Sequence, residues 1–344
     1  MTLESTAAAA VPTLPPGRQR RMVRLHGGRS EPVAIFLARI ALPLILVLLV
    51  VTFSVLEPET FFTVANLKTI LNLQSVLGIL ALGLIMPLII GEMDLSVAAN
   101  LGLGMILVTG LTSQQGLGLV PAIALAVLGC TVVGLVNGLM VTRLQINSLI
   151  ATLGMSTIVT GVVSAYTNGG VFYADIPAGL LKIGQSRVGG IPLPIVYALI
   201  IALVVWYVLS STPLGRYLYA IGGSRDAARL SGVPVKGLTL LAFAGAGLLA
   251  GIGGVVQAGI LGSGSPTVGP PFLLPVFAAV FLGATAIEPG VFNVWGTIIA
   301  VVTLQVGVTG LALVGAPFWI EPVFTGVALI IAVSSARFLR GEAL

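Results

Sequence analysis

Charged residues are scarce in this chain of 344 residues, at 8% against 57% hydrophobic. A water-soluble domain of ordinary composition carries about 25% charged residues, so the composition excludes a water-soluble protein. A bilayer-spanning helix needs about 20 mostly apolar residues, and the chain has room for roughly ten of them. We therefore expect an all-α polytopic membrane protein.

Cysteine and histidine are almost absent, which excludes several kinds of catalytic and metal site. The single cysteine, Cys130, lies in an apolar run and can form neither an intrachain disulfide nor a multi-cysteine metal site. The lone histidine, His26, falls in the polar N-terminal tail, away from any serine of the apolar segments. Those segments also lack paired acidic residues. We expect no catalytic residue, no metal and no cofactor.

A phosphate-binding loop is missing as well. No lysine follows a glycine, so the chain has no Gly-x-x-x-x-Gly-Lys motif and does not itself bind ATP. Gly245-Ala-Gly247-Leu-Leu-Ala250 matches a dinucleotide pattern, but it lies inside a hydrophobic segment with no preceding strand. Together with Gly251 and Gly254, these glycines favour close helix packing instead.

Ten apolar segments follow the polar N-terminal tail. They are Val33–Leu56, Leu73–Gly91, Leu95–Thr112, Leu117–Val141, Leu149–Ala165, Ile191–Ser210, Leu238–Gly259, Phe272–Ile287, Phe292–Val314 and Ile320–Phe338. Leu95–Thr112 and Leu149–Ala165 are short and rich in Gly, Ser, Thr and Asn, so either could be a broken or re-entrant helix. We expect about ten transmembrane or partly re-entrant helices.

The basic residues predict the orientation of these helices. The net charge is +5, but the arginines lie between hydrophobic runs and form no stripe with aromatic residues, which argues against a nucleic acid partner. Most of them become cytoplasmic when both termini are cytoplasmic. The predicted organisation is then a disordered basic tail 1–32, a transmembrane domain 33–338 and a short cytoplasmic tail 339–344. Residues 211–236 form the longest internal loop between spans, and Thr167–Gly190 the longest external connection.

The internal loop 211–236 carries the signals of a short helix of roughly two turns. Ser224 can cap the free backbone N–H groups, and Asp226 places negative charge in the first turn. Gly232 suits the left-handed position after the helix, and Pro234 stops its continuation.

The two faces of this short helix differ in character. Ala227, Ala228 and Ser231 form a face of small side chains that could insert into a groove of a partner, while Arg225 and Arg229 share another face. A solvated loop with an incidental helix cap is the alternative interpretation.

The loop also resembles a known motif. Asp226-Ala-Ala-x-x-x-Gly232 is similar to the Glu-Ala-Ala-x-x-x-Gly loop through which ABC importer permeases contact their ATPase subunits, and the stretch from Thr212 to Pro234 resembles the ribose-type permease family. Further matches follow in the family's order over nearly the whole chain after Pro32. They are Gly91-Glu-Met-Asp94-Leu-Ser96-Val, Asn137 to Gly154, Trp295-Gly-Thr and Pro317-Phe-Trp319.

This resemblance implies an ABC importer permease fold and a place in the bacterial inner membrane. The implied partners are ABC ATPase subunits, an extracytoplasmic solute-binding protein and a second permease copy, identical or paralogous. Monosaccharides are the usual substrates, so a small neutral polar solute or polyol is expected. The implied coupling residues are Gly215, Arg216, Gly222, Gly223, Asp226, Ala227, Ala228 and Gly232.

The chain also departs from the family pattern, which limits the prediction of its substrate. Where the family commonly has Gly-Tyr-Glu-Leu-Asp, this chain has Pro270-Pro271-Phe272-Leu273-Leu274-Pro275, so two acidic side chains are missing. The identity of the sugar is therefore left open, and ribose is not inferred.

Polar residues of the apolar region are candidates for a substrate path. Amide side chains suited to a neutral polyol occur at Asn100, Asn137, Asn147, Asn168, Gln257, Asn293 and Gln305. We select Asn100, Asn137 and Gln257, although interhelical hydrogen bonds explain them equally well. Asp94 could begin the third span as a helix cap or line the substrate path. Glu92 is expected at the membrane interface. An ion-coupled secondary transporter is the alternative function, for which Asp94 is the one buried titratable candidate.

Overall fold

The computed structural model describes residues 33–340, with the side chains of residues 39–335. The predicted tail 1–32 and residues 341–344 lie outside the described residues. The helices are α1 (Val33–Leu56), α2 (Val64–Ile89), α3 (Val97–Ser113), α4 (Leu119–Thr142), α5 (Ser148–Thr167), α6 (Ala178–Gln185), α7 (Leu193–Ser211), α8 (Pro213–Gly223), α9 (Arg225–Leu230), α10 (Val235–Leu261), α11 (Leu273–Gly283), α12 (Val294–Leu313) and α13 (Ile320–Arg340).

Seven of these helices are long and apolar enough to cross a membrane, within the part of the chain that the structure describes. They are α1, α2, α4, α5, α7, α10 and α12. Three further apolar helices are shorter, namely α3, α11 with the 3-10 turn Pro270–Phe272 before it, and the described part of α13 up to Ser335. The expected class, a mostly helical polytopic membrane protein, is confirmed.

The clearest interruption of the helical pattern lies outside the two doubtful segments, neither of which is broken. Both doubtful segments form continuous helices, α3 with 17 residues and α5 with 20. The segment predicted as Phe272–Ile287 instead yields α11 with only 11 residues. Irregular backbone from Gly262 to Gly269 precedes it, and a Cβ at Gly269 would lie 2.6 Å from the Ala98 carbonyl oxygen of α3. The physical reason is that Pro270 and Pro271 lack the backbone N–H of a continuing helix, whereas the small residues of α3 allow close packing.

Helix α10 is the centre of the bundle and packs against α2, α3 and α4. Its glycines permit contact at backbone distance. A Cβ at Gly247 would lie 2.4 Å from the Cys130 carbonyl oxygen of α4, and one at Gly254 would lie 2.4 Å from the Leu101 carbonyl oxygen of α3. The prediction that these glycines serve helix packing is confirmed.

Apolar side chains also cover the outer surface of the bundle. On α1 and α5, Leu48, Val55 and Ile150 are more than half exposed, as is Val204 on α7. In a membrane such side chains meet lipid tails, which are as apolar as they are, so their exposure carries no penalty.

The bundle has two ends. We call the end that carries residues 212–234 the loop side, and the opposite end the far side. On the far side, the connection after α5 holds α6 and a hairpin, neither of which was predicted from the sequence. Strands β1 (Arg187–Val188) and β2 (Ile191–Pro192) pair antiparallel, with Arg187 opposite Pro192. Gly189 and Gly190 form the two-residue turn with φ of 58° and 77°, values that favour glycine.

Candidate coupling site

The loop between α7 and α10 folds into two helices, of which only the second was predicted from the sequence. The first, α8, begins with Pro213, whose fixed φ suits the first helical position. Its buried residues Gly215, Leu218 and Ile221 face the bundle. A Cβ at Gly215 would lie 2.0 Å from the Leu209 carbonyl oxygen, so only glycine lets α8 turn back so closely on α7.

The second helix, α9, has the caps that its sequence predicts. The Ser224 hydroxyl oxygen accepts a hydrogen bond of 3.3 Å from the Ala227 backbone N–H. After the helix, Gly232 has φ of +82°, in the left-handed region. The Gly232 N–H donates to the Arg229 carbonyl oxygen at 3.1 Å, and the Val233 N–H to that of Ala228 at 3.0 Å. The predicted short helix is therefore confirmed, with six residues.

An ion pair ties α9 to the bundle. The Arg225 guanidinium Nη1 lies 2.7 Å from the Glu92 carboxylate Oε1, and Nη2 donates to the Thr239 hydroxyl of α10 at 3.3 Å. Glu92 follows α2 and is only 7% exposed. An arginine distant in sequence pairs with the carboxylate and permits its burial in the protein, while the position of Glu92 at the membrane interface stays a prediction.

Helix α8 also rests on the end of α2. A Cβ at Gly222 would lie 1.9 Å from the Ile89 carbonyl oxygen, whereas one at Gly223 would meet nothing within 4 Å. On another face of α8, the Tyr219 hydroxyl donates to the Phe292 carbonyl oxygen at 2.8 Å. Burial, with a smaller effect of the Glu288 charge, raises the pKa of Tyr219 to about 12, so the hydroxyl keeps its proton at neutral pH.

The connection between α2 and α3, residues 90–96, links Glu92 to a neighbouring helix. The Met93 N–H donates to the Ser148 hydroxyl at 3.2 Å, and the Leu95 N–H to the Thr152 hydroxyl at 3.0 Å. Both hydroxyls belong to the first turns of α5. Glu92, which pairs with Arg225 of α9, therefore lies within a few residues of backbone N–H groups that hydrogen-bond to α5.

Asp94 lies at the centre of the same connection. Its Oδ1 accepts hydrogen bonds from the Ser96 N–H at 2.9 Å and from the Ser96 hydroxyl at 2.6 Å. Burial raises its pKa to about 6, against the lowering effect of these two bonds. The bonded N–H precedes the first residue of α3, so the carboxylate closes the turn that leads into the helix.

The amide substrate-path candidates contact neighbouring helices. The Asn137 Nδ2 donates to the Ser96 hydroxyl at 2.8 Å, and the Asn100 Nδ2 donates to the Cys130 carbonyl oxygen at 3.0 Å. The Oδ1 atom of each is buried and has no hydrogen-bond partner among the described residues. Gln257 is half-buried on α10. The structure thus joins Asp94 and Asn137 through Ser96, and their role on a substrate path stays a prediction.

The outward surface of α9 differs from the predicted face of small residues. Ala228 is buried against the bundle, while Ala227 and Ser231 are exposed. Leu230, which was not selected from the sequence, is 86% exposed. The signal for it was an apolar residue shortly before the cap at Gly232.

An open cavity of about 390 Å³ lies beside α9. Its wall includes residues 145–148 of the connection from α4 to α5, together with Glu92, Arg225, Arg229 and Lys236. The mixture of charges and amides suits a hydrated, polar contact. Of the remaining predicted coupling residues, Arg216 and Asp226 are exposed on the same side of the bundle.

Comparison with known proteins identifies the family. Residues 66–333 match the model described as the permease component of branched-chain amino acid transport systems. The chain is 33% identical over 291 residues to the ribose import permease protein RbsC of Escherichia coli (strain K12), covering 84% of this chain and 90% of that protein. It is 29% identical over 300 residues to the D-allose transport system permease protein AlsC of the same strain, covering 86% and 90%.

A third relative spans nearly the whole chain. The L-arabinose ABC transporter permease protein AraH of Azospirillum brasilense is 29% identical over 343 residues, covering 99% of this chain and 97% of that protein. No solved structure matches the chain. The chain belongs to the family of permease components of branched-chain amino acid transport systems and is a multi-pass protein of the inner membrane.

Proposed function

We propose that this chain is the transmembrane subunit of an ATP-driven importer that carries a monosaccharide or a related polyol across the bacterial inner membrane. The relatives named for ribose, allose and arabinose support a sugar as the substrate class. In this proposal the loop side and both termini are cytoplasmic, all ten apolar helices belong to the transmembrane domain 33–338, and residues 1–32 and 339–344 are cytoplasmic tails.

One observation carries the proposal: the start of α9 is bound to the helix bundle, while its outer side is exposed. Arg225 and the Gly222 contact fasten α8 and α9 to α2, while Leu230 and Ala227 are free to meet a partner. An apolar side chain that is 86% exposed outside the transmembrane helices suits a protein surface. The proposed occupant is the ATPase subunit.

The hydrogen bonds behind α9 suggest how its displacement reaches the transmembrane helices. Glu92 passes a movement of Arg225 to residues 90–96, and Ser148 and Thr152 pass it on to α5. Asn137 links the same connection to α4 through Ser96. Movement of one short helix therefore acts on α2, α4 and α5 together.

The energy source in this proposal is a separate ATPase, because the chain has no phosphate-binding loop. A solute-binding protein outside the cell would deliver the solute, and a second permease copy would complete the path. An ion-coupled transporter is less well supported, because the relatives are permeases named for sugar import and transport systems.

Co-purification of the full chain from its native membrane tests the proposal. We expect an ATPase and a solute-binding protein in the purified complex, and ATP-dependent uptake of a labelled monosaccharide when the three are reconstituted. Leu230→Ser should reduce ATPase retention at least tenfold. Val120→Ser is the matched control, because Val120 is 77% exposed at the far side of α4. Uptake that persists without an ATPase and follows an imposed ion gradient would contradict the proposal.

A further inference from the structure

A second cavity, of about 220 Å³, lies between α2, α12, α13 and the turn that precedes α11. Its polar wall consists of Gln74, Gln305, Glu321 and Thr325. Gln74 lies in the half of α2 nearer the far side, and Glu321 lies in the first turn of α13, which begins at the far side. The cavity is therefore in the part of the bundle opposite to α9.

Two amides in this cavity form a chain that ends in an unused acceptor. The Gln74 Nε2 donates to the Gln305 Oε1, and the Gln305 Nε2 donates to the Thr309 hydroxyl at 2.9 Å. The Gln74 Oε1 is buried and has no hydrogen-bond partner among the described residues. An interhelical bond explains the pair but not this oxygen, since a buried acceptor without a donor is unfavourable. A rotation of the Gln74 amide toward the cavity would present this oxygen to the hydroxyl group of a solute.

The remaining wall has the chemistry of a sugar-binding surface. Glu321 is exposed in the first turn of α13, and it lines the cavity. Thr325 lies one turn later on the same face of α13 and adds a hydroxyl. Phe272 contributes an aromatic ring from the opposite wall, suited to the C–H groups of a sugar ring.

We propose that this cavity is a subsite for a neutral polyhydroxylated solute, in which the Gln74 Oε1 and the Glu321 carboxylate accept hydrogen bonds from its hydroxyl groups. This inference rests on the proposed import function and adds the place where the solute binds. Pro271 and Phe272, which belong to the segment where the chain departs from its family pattern, form one wall. The cavity therefore distinguishes one monosaccharide from another.

Uptake by the complete transporter, with D-ribose, D-allose, L-arabinose and D-galactose as labelled probes, tests the subsite. Gln74→Leu and Glu321→Gln should lower uptake of the preferred probe at least tenfold and alter the ratio of rates among the four. ATPase retention should not change. Gln114→Leu is the matched control, since Gln114 is exposed at the far end of α3 and is absent from the cavity wall. A merely structural role would lower all four rates by the same factor and overturn the subsite.

Thiol labelling gives a second measurement that does not depend on transport. In a Cys130→Ala background, Gln305→Cys should react with a hydrophilic thiol reagent, and the preferred probe should slow the reaction at least fivefold. Failure of Gln305→Cys to react, or reaction without protection, would overturn the subsite. If the wild-type transporter takes up a sugar normally and the variants do so equally well, the subsite alone is overturned. If the wild type transports none of the four sugars with ATP, the proposed function is overturned and the subsite with it.

Discussion

Arg225 and Glu92 form an ion pair of 2.7 Å between a short surface helix and the end of α2. The two partners differ in environment, because the Arg225 side chain is 49% exposed and that of Glu92 only 9%. Removal of the arginine therefore leaves a buried carboxylate unpaired, whereas removal of the carboxylate leaves a cation that water can solvate.

This asymmetry predicts unequal effects of the two single substitutions. Arg225→Ala should lower the free energy of unfolding by about 1.5–3 kcal/mol, and Glu92→Gln by less. Both should reduce uptake per ATP hydrolysed. Thermal unfolding in detergent and coupled ATPase assays measure the two effects. Arg229→Ala is the control one turn later on the same helix, where the arginine is also exposed, and equal losses for Arg225→Ala and Arg229→Ala would contradict the prediction.

Gly222 and Gly223 are adjacent and have opposite surroundings. Gly222→Ala places a methyl group 1.9 Å from the Ile89 carbonyl oxygen and should push α8 away from α2. We expect a loss of about 1–3 kcal/mol in unfolding free energy, typical of overpacking, together with impaired coupling. Gly223→Ala meets nothing within 4 Å and should be neutral or slightly stabilising. Comparable melting temperatures of the two variants would count against a close contact between α8 and α2.

Gly232 is required for its backbone conformation rather than for space. Its φ is +82°, and a Cβ there would meet nothing within 4 Å. Gly232→Val should therefore strain the end of α9 by about 1–2 kcal/mol and lower transport, while Gly232→Asn should be milder because asparagine tolerates this region. Gly237→Ala, equally free of neighbours and without a positive φ, is the control. Uptake assays with immunoblots of membrane content check the order, and equal uptake by all three variants would refute it.

The raised pKa of Asp94 predicts that the stability of the protein depends on pH. Burial raises its pKa from 3.8 to about 6, so between these values the native protein binds more protons than the unfolded chain. The free energy of unfolding should therefore fall as the pH rises from about 4 to about 6, by about 3 kcal/mol from this group. Asp94→Asn should remove that part of the fall. Unfolding curves in detergent at several pH values test this, and identical profiles for both proteins would refute it.

Local features of the loop could be predicted from the sequence, and long-range ones could not. The caps of α9 depend on Ser224 and Gly232 and on neighbours within a few residues, so their chemistry is visible in the sequence. The Arg225 and Glu92 pair depends on the packing of α2 against α8 and α10. Neither residue carries a local signal of its partner, so the ion pair could not be predicted from the sequence.

The substrate path illustrates a related limit. Polar residues of the apolar segments are easy to count, but the sequence does not reveal which of them already have hydrogen-bond partners. The Nδ2 atoms of Asn100 and Asn137 bind neighbouring helices, as the Gln74 Nε2 binds Gln305, and each of the three amides keeps an oxygen without a partner among the described residues. Gln74, which carries no distinguishing signal in the sequence, also lines a cavity. Glu321 carries no distinguishing signal, because it lies just inside the start of the last apolar segment.

The glycine contacts of α10 bear on which parts of the protein are able to shift. Because backbone meets backbone at Gly247 and Gly254, no side chain is available there to re-pack when one helix slides past another. We expect α3, α4 and α10 to travel as a single block during a transport cycle. The irregular residues 262–269 connect that block to α11, and Gly269 lies against the backbone of α3, so we expect this connection to move with the block.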